Sequence, residues 1–300
     1  MKIGFIGIGL MGGPLARNLI RAGKEVYIYG RNQQHINKVL SAGTTGKVVK
    51  NINDLAICDI IFTCLPLPQT VKSIMIENNG LLSQLKPGSI YIDTSTIDPS
   101  TAIEIEQYAI HHNVHYIACT LGLGPAQAET ASEPLFVGGN KEIFTKIMPI
   151  LNLIGSPVHY LGGVVQAYAF KIISNMIGMT NLAILAEGIH LAQKANIDIE
   201  QFLTLLAQTG GDSNQLSRRG PAIANNDFSN RFAVDLTLKD LNFLVVIWLK
   251  ILIILLYLVK NPVNFIKKLL NKAMVQKIVV LFIKSLNKII LKTKRDYGLL

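Results

Sequence analysis

Gly7-Ile8-Gly9-Leu10-Met11-Gly12 has the form Gly-x-Gly-x-x-Gly, and it stands between an apolar run at Lys2–Gly7 and a helix-like segment near 10–23. In that setting the first glycine permits a tight turn and the second lets the backbone approach a diphosphate. The third allows a helix to pack closely on the strand, and the helix N-terminus offers amide donors and a positive dipole to the anion. A glycine turn used for packing alone is the other reading. The strand before the motif and the helix after it favour a dinucleotide site held by Gly7, Gly9, Leu10, Met11 and Gly12.

The end of the second strand would carry an acid if the cofactor were NAD, because a carboxylate accepts the ribose 2′-hydroxyl. The chain reads Tyr29-Gly30-Arg31-Asn32 there. Arg31 can pair with a 2′-phosphate in bidentate fashion, so NADP is expected, with NAD the alternative and a solvated surface arginine the plainer reading. No metal is expected. His111, His112 and His115 have no acid or cysteine at chelating spacing. His159 and His190 could be taken for catalytic bases, but His190, on an apolar helix face, suits a structural position better. Cys58, Cys64 and Cys119 are odd in number and form no Cys-x-x-Cys pair, which points to a reducing, cytoplasmic setting. The N-terminal apolar run is broken by glycines and passes into a strand-helix unit, so a signal peptide is not expected.

These residues need a scaffold, and the chain alternates short β-branched runs with amphipathic stretches as a parallel sheet with crossover helices does. Strands are expected at Lys2–Gly7, Val26–Gly30, Asp59–Leu65, Ser89–Thr94, Val114–Cys119, Leu135–Gly138 and Val158–Leu161. Helices are expected near 10–23, 33–42, 68–77, 99–112 and 141–152. From Gly162-Gly163 the period becomes helical through about Ala195, and a further helix follows near Ile199–Thr209. The fold class is therefore α/β: a doubly wound Rossmann-type domain over 1–162, then an all-α domain over 163–243 joined by one long helix. A substrate site is expected in the cleft between them.

The 300 residues carry a formal charge of +10, which would suggest nucleic acid or an anionic membrane if it were spread over a folded surface. It is not so spread: residues 244–300 hold 11 Lys or Arg and one acid, Asp296, and the first 243 residues balance to zero. Nucleic acid is not an expected partner.

Several segments in order resemble the β-hydroxyacid dehydrogenases, the family of 3-hydroxyisobutyrate dehydrogenase and 2-hydroxy-3-oxopropionate reductase. They are Ile3 to Gly12, Leu65-Pro66, Asp93-Thr94-Ser95-Thr96-Ile97, Gly162-Gly163 with Gln166, Lys171 and Asn175, and Lys239-Asp240-Leu241. The resemblance covers residues 1 to about 243. It implies that Leu65 and Pro66 border the nicotinamide ribose and that Thr96 touches the cofactor. It implies further that Lys171 is the catalytic lysine, with Asn175 one helical turn later, and that Lys239 reaches the cleft from the helical domain. A small hydroxy acid or semialdehyde as substrate and a homo-oligomeric assembly follow from the same resemblance. The family's substrate loop usually reads Asp-Ala-Pro-Val-Ser-Gly-Gly. Here it is Ala118-Cys119-Thr120-Leu121-Gly122-Leu123-Gly124, so Gly122 stands at the serine and Leu123 at the next glycine.

The chemistry agrees with the resemblance. Hydride addition to a carbonyl builds alkoxide charge on oxygen and needs a proton donor nearby. A lysine partly stripped of water on a rigid helix can give that proton and take it back, and residues 171 and 175 share a helix face. The substrate carboxylate is expected at the backbone amides of Gly122 and Gly124, beside Leu123 and helped by Ser95 or Lys239.

Residues 244–300 depart from the family: they hold 29 Leu, Ile or Val, no Glu, one Ala and one Gly. Leu244–Val259 is apolar except for Lys250, shorter than the ~20 residues of a comfortable membrane span. Three readings compete: a membrane anchor, a basic surface-binding segment, and a tail encoded out of frame after about Asn242. One permitted coding of Ile247-Trp248-Leu249-Lys250 and onward into Ile251, read two bases later, gives Leu-Ala-Lys-Asp, the kind of helix expected at that point. The alternative to an active enzyme is thus a non-catalytic or decayed dinucleotide-binding protein with such a tail.

Overall fold

The computed structural model describes residues 1–227, 229 and 233–243. The readings of 244–300 lie outside the described residues. Among the described residues eight strands form one sheet in the order β3-β2-β1-β4-β5-β6-β7-β8, with β1 at Lys2–Ile6, β2 at Glu25–Tyr29, β3 at Gly46–Val48 and β4 at Ile60–Thr63. The remaining strands are β5 at Ile90–Asp93, β6 at His115–Leu121, β7 at Leu135–Gly139 and β8 at Val158–Tyr160. Helices α1 (Gly12–Arg21), α2 (Gln33–Leu40), α3 (Pro68–Met75), α4 (Pro99–His111), α5 (Pro125–Glu129) and α6 (Lys141–Ile154) cover the two faces.

The residues explain the layout. β4 and β5 are buried at every position, as central parallel strands covered on both faces must be, and they read as unbroken apolar runs apart from Thr63 and Asp93. Pro68, Pro99 and Pro125 each open a helix, where the missing amide proton has no partner to lose. Asn32, Asp98 and Asn140 cap α2, α4 and α6 by accepting first-turn amides.

One strand departs from the expected parallel order: β7 pairs with β6 antiparallel, Cys119 opposite Val137. The connection explains it. α5 has five residues, about 8 Å of helix, and cannot carry the chain back along a seven-residue strand of about 23 Å. α6, with 14 residues, can, and β8 lies parallel to β7.

After Gly163 the chain enters α7, Val164–Lys194, the long helix that the periodicity implies. By length and composition it could cross a membrane. Its first turns instead lie in the core, with Val164, Ala167, Tyr168 and Ile172 buried. α8 (Ile199–Leu206) and α9 (Asn214–Ala224) follow, and residues 234–243 are helical. Leu185, Ile189 and Leu216 form a small separate core with Phe202 and Leu203.

Candidate active site

The strand order reverses between β1 and β4, and the crevice beyond the carboxyl ends of those strands is where an open α/β sheet binds its ligand. Gly7 ends β1 with φ +90°, and a side chain there would strike the Cys64 carbonyl oxygen. A side chain at Gly12 would strike the Gly7 carbonyl oxygen, so α1 packs on β1 only because residue 12 has none. A Cβ on Gly9 would meet nothing within 4 Å. Among the described residues no side chain caps α1, and no acid lies in its first turn. Open space over Gly9 and an uncapped helix N-terminus fit a diphosphate. Leu10, 60% exposed, and half-buried Met11 flank that space.

Arg31 lies exposed at the carboxyl end of β2, the corner where an adenosine ribose meets a dinucleotide fold. Gly30 before it makes room for Ile8, whose side chain would come within 2.8 Å of a Cβ at residue 30. Asn32 after it is occupied in capping α2, accepting from Gln34 N at 2.9 Å and His35 N at 3.1 Å.

The loops after β4 and β5 are tied together from beneath. Leu65 N donates to Ser95 Oγ at 2.9 Å. Asp93, fully buried, accepts from Thr63 Oγ1 at 2.6 Å, Ser95 N at 2.9 Å and Tyr168 Oη at 2.7 Å. Tyr116 and Tyr91 extend this network, donating to Tyr168 and Thr63 at 2.8 Å. Tyr168 sits three residues before Lys171, so the network fixes how α7 lies over β5. From above, Lys239 Nζ donates to Thr96 O at 2.7 Å and Pro66 O at 3.0 Å. The structure thus brings Leu65, Pro66, Ser95, Thr96 and Lys239 to one place.

Lys171 and Asn175 occupy one stripe of α7. Loss of water pushes the Lys171 ammonium below the usual lysine range; the charges of Asp240 and Glu133 oppose that shift and Lys239 adds to it. Asn175 Nδ2 donates to Asp240 Oδ2 at 2.7 Å, and Asp240, 2% exposed, has its other oxygen 3.1 Å from Lys239 Nζ. Asp240 was visible in the sequence only as part of Lys239-Asp240-Leu241. Its link to Asn175, 65 positions away, has no local signal.

The loop after β6 corrects an expectation. The amides of Gly122 and Gly124 do not converge on an open anion position: Gly122 N donates to Pro134 O at 3.0 Å and Gly124 N to Glu133 Oε2 at 2.8 Å. Leu123 N donates to the other Glu133 oxygen, and the Leu123 side chain is 41% exposed. Burial raises the Glu133 carboxyl above the usual carboxylate range, and these amides and the Lys171 charge limit the rise. Both oxygens accept amide hydrogens, bonding that favours the charged form. α1 secures the next segment. Arg17, 5% exposed, and Arg21 pair with Glu129, and Asn18 Nδ2 donates to Ala128 O at 2.8 Å.

The cysteines offer no competing nucleophile. Burial pushes the Cys58 and Cys64 thiols up to about 11, and that of Cys119 higher. His159 stacks on Phe136, with ring centres 5.5 Å apart, and His190 is exposed on α7.

Comparisons with known proteins agree with this geometry. Residues 2–162 match the NAD binding domain of 6-phosphogluconate dehydrogenase. Residues 166–248 match the NAD-binding model of NADP-dependent 3-hydroxyisobutyrate dehydrogenase. The chain is 32% identical over 242 residues to 2-(hydroxymethyl)glutarate dehydrogenase of Eubacterium barkeri, covering 80% of each chain. It is 28% identical to chloroplastic glyoxylate/succinic semialdehyde reductase 2 of Arabidopsis thaliana, over 80% of this chain and 67% of that one. The fold matches 3-hydroxyisobutyrate dehydrogenase from Salmonella typhimurium with a TM-score of 0.74 at 24% identity, covering 82% of this chain and 86% of that one. Psf3 in complex with NADP+ and 2-OPP matches with a TM-score of 0.75 at 24% identity, covering 80% and 85%. With the glycine crevice, the lysine stripe and these matches together, the chain belongs to the β-hydroxyacid dehydrogenase family of nicotinamide-dependent oxidoreductases.

Proposed function

We propose that this chain interconverts a small β-hydroxyacid and its semialdehyde with NADP, Lys171 serving as general acid and base. The observation that carries the reading is the setting of Lys171, half-buried on α7, its ammonium pushed down by loss of water and held up by the charges of Asp240 and Glu133. In the reductive direction, Lys171 Nζ gives a proton to the carbonyl oxygen as negative charge develops there, becomes a neutral amine and is reprotonated from solvent. In the oxidative direction the neutral amine takes the hydroxyl proton. A bound nicotinamide supplies hydride to the carbonyl carbon, or accepts it from the carbinol carbon.

Gly7, Gly9, Leu10, Met11 and Gly12 hold the diphosphate in this reading, and Arg31 takes the 2′-phosphate. Leu65, Pro66 and Thr96 border the nicotinamide ribose, with Lys239 holding their backbone. Asn175, its amide nitrogen held by Asp240, has its carbonyl oxygen left to accept from the reacting hydroxyl in this reading. The relatives' names, a dehydrogenase of 2-(hydroxymethyl)glutarate and a reductase of glyoxylate and succinic semialdehyde, support small acids and aldehydes as the substrate class. Three free thiols support a reducing, cytoplasmic setting.

A second reading, a dinucleotide-binding protein without catalysis, is favoured by one observation. The family match ends at residue 248, a few residues into the stretch from 244 where the composition changes. NADPH oxidation by the full chain with glyoxylate and succinic semialdehyde separates the two. The first reading expects turnover, faster with NADPH than with NADH; bound NADPH without oxidation of either substrate supports the second.

A further inference from the structure

An anionic substrate finds the amides of the β6 loop already taken. Glu133 is fully buried and accepts from both Leu123 N and Gly124 N. Displacing it would leave a charge unpaired in the interior, and a second anion beside it would meet its repulsion. The carboxylate of a small acid therefore needs a cation from another element.

α9 brings one. A Cβ on Gly124 would lie 3.6 Å from Arg218 Nη2, so the guanidinium rests against the loop whose amides point to Glu133. One turn earlier on the same helix, Gln215 Nε2 lies 3.3 Å from where a Cβ of Gly178 would stand. Gly178 continues the Lys171 and Asn175 stripe of α7 at i+7. Residues 215 and 218 share a face, so that face of α9 reaches from the substrate loop to the stripe that carries Lys171. Arg218 is half-buried, and among the described residues no carboxylate pairs with it. Gln215 Oε1 is buried on the same face with no hydrogen-bond partner among the described residues, which leaves an acceptor for a substrate hydroxyl.

We propose that Arg218 is the specificity-determining residue of this site, receiving the substrate carboxylate in place of the loop amides that Glu133 occupies. The proposal rests on the reading of the site as one for small acid semialdehydes. A guanidinium suits the role because its planar donors match both oxygens of a carboxylate.

The test uses the full chain as wild type, Arg218→Gln and Arg218→Lys, with succinate as an unreactive probe titrated calorimetrically into the NADPH-loaded protein. Turnover of succinic semialdehyde is compared with that of butanal, which lacks the carboxylate. The expected result is succinate binding weakened at least about tenfold by R218Q and less by R218K. The kcat/KM for succinic semialdehyde should fall at least about tenfold further than that for butanal, chiefly through KM. Wild-type affinity for succinate in R218Q, no succinate binding by the wild type, or equal losses for both aldehydes would overturn the proposal. If R218Q does not fold, R218K decides: weaker succinate binding supports the assignment and wild-type binding overturns it. Arg218-dependent succinate binding in a chain that turns over neither aldehyde would sink the reductase reading and leave the anion site standing.

Discussion

Asn175 Nδ2 donates to Asp240 Oδ2 at 2.7 Å, and the neighbouring Lys239 ammonium donates to Thr96 O at 2.7 Å. Adjacent residues thus hold the lysine-bearing helix on one side and the loop after β5 on the other. Beside the Asp93–Tyr168 network, the clasp gives α7 a second tie to the loops after β4 and β5.

Replacing Asp240 with Asn tests that clasp together with its electrostatics. The Asp240 charge raises the Lys171 pKa, so its removal lowers that pKa further. Lys171 acts as an acid only when protonated, so the reductive rate falls as pH rises through its pKa. In D240N that fall should come at lower pH, with kcat reduced roughly tenfold to a hundredfold. A reduced rate with an unmoved pH profile would mean that Asp240 serves structure alone.

Lys239→Ala should loosen the loops that carry Pro66 and Thr96. Two charge-assisted hydrogen bonds are lost, and the Kd for NADPH is expected to rise about tenfold, equivalent to about 1.4 kcal/mol. Fluorescence titration of NADPH reads this directly.

Arg31→Ala should narrow the preference for NADPH over NADH by roughly tenfold or more, through KM for NADPH. An unchanged ratio would show that the exposed arginine does not meet the 2′-phosphate.

Glu129 ties α5 to α1, and the Arg17 guanidinium beside it holds its carboxyl down to about 2. Its folded pKa lies below the unfolded one, so its contribution is present at neutral pH and is lost as pH falls from about 4.5 toward 2. Glu129→Gln should cost about 1–2 kcal/mol, discounted for the partial exposure of Glu129, because buried Arg17 loses its charged acceptor. Urea unfolding at pH 7 measures the loss, and the difference from wild type should shrink in acid.

What could be read from the residues and what could not divide along physical lines. Ile60 to Phe62 and Ile90 to Ile92 announce buried parallel strands by apolar runs, and Gly7, Gly9 and Gly12 announce the crevice because only glycine fits two of those positions. β3 has three residues and α5 has five, too short to impose a period. α9 is hidden by Gly220 and Pro221 in its last turns, yet Gly220 is buried, with a Cβ there 3.0 Å from Leu203. Glu133 carries no local signal of its role in the sequence. Its capture of the Leu123 and Gly124 amides is a tertiary contact, and it occupies the donors that the loop would otherwise offer an anion.

The tail has its own test in the gene. An out-of-frame origin for 244–300 expects the nucleotide sequence past codon 243 to encode a family-like helix in another frame. Its absence from both alternative frames would end that reading.

The central claim is that Lys171 moves the proton. With succinic semialdehyde and NADPH, Lys171→Ala should lower kcat by roughly a hundredfold to ten-thousandfold while Kd for NADPH stays within about threefold. The wild-type reductive rate should fall with rising pH at a value below the ordinary lysine range, and the variant should lose that limb. Turnover by Lys171→Ala within about fivefold of wild type, with the same pH profile, would contradict the account.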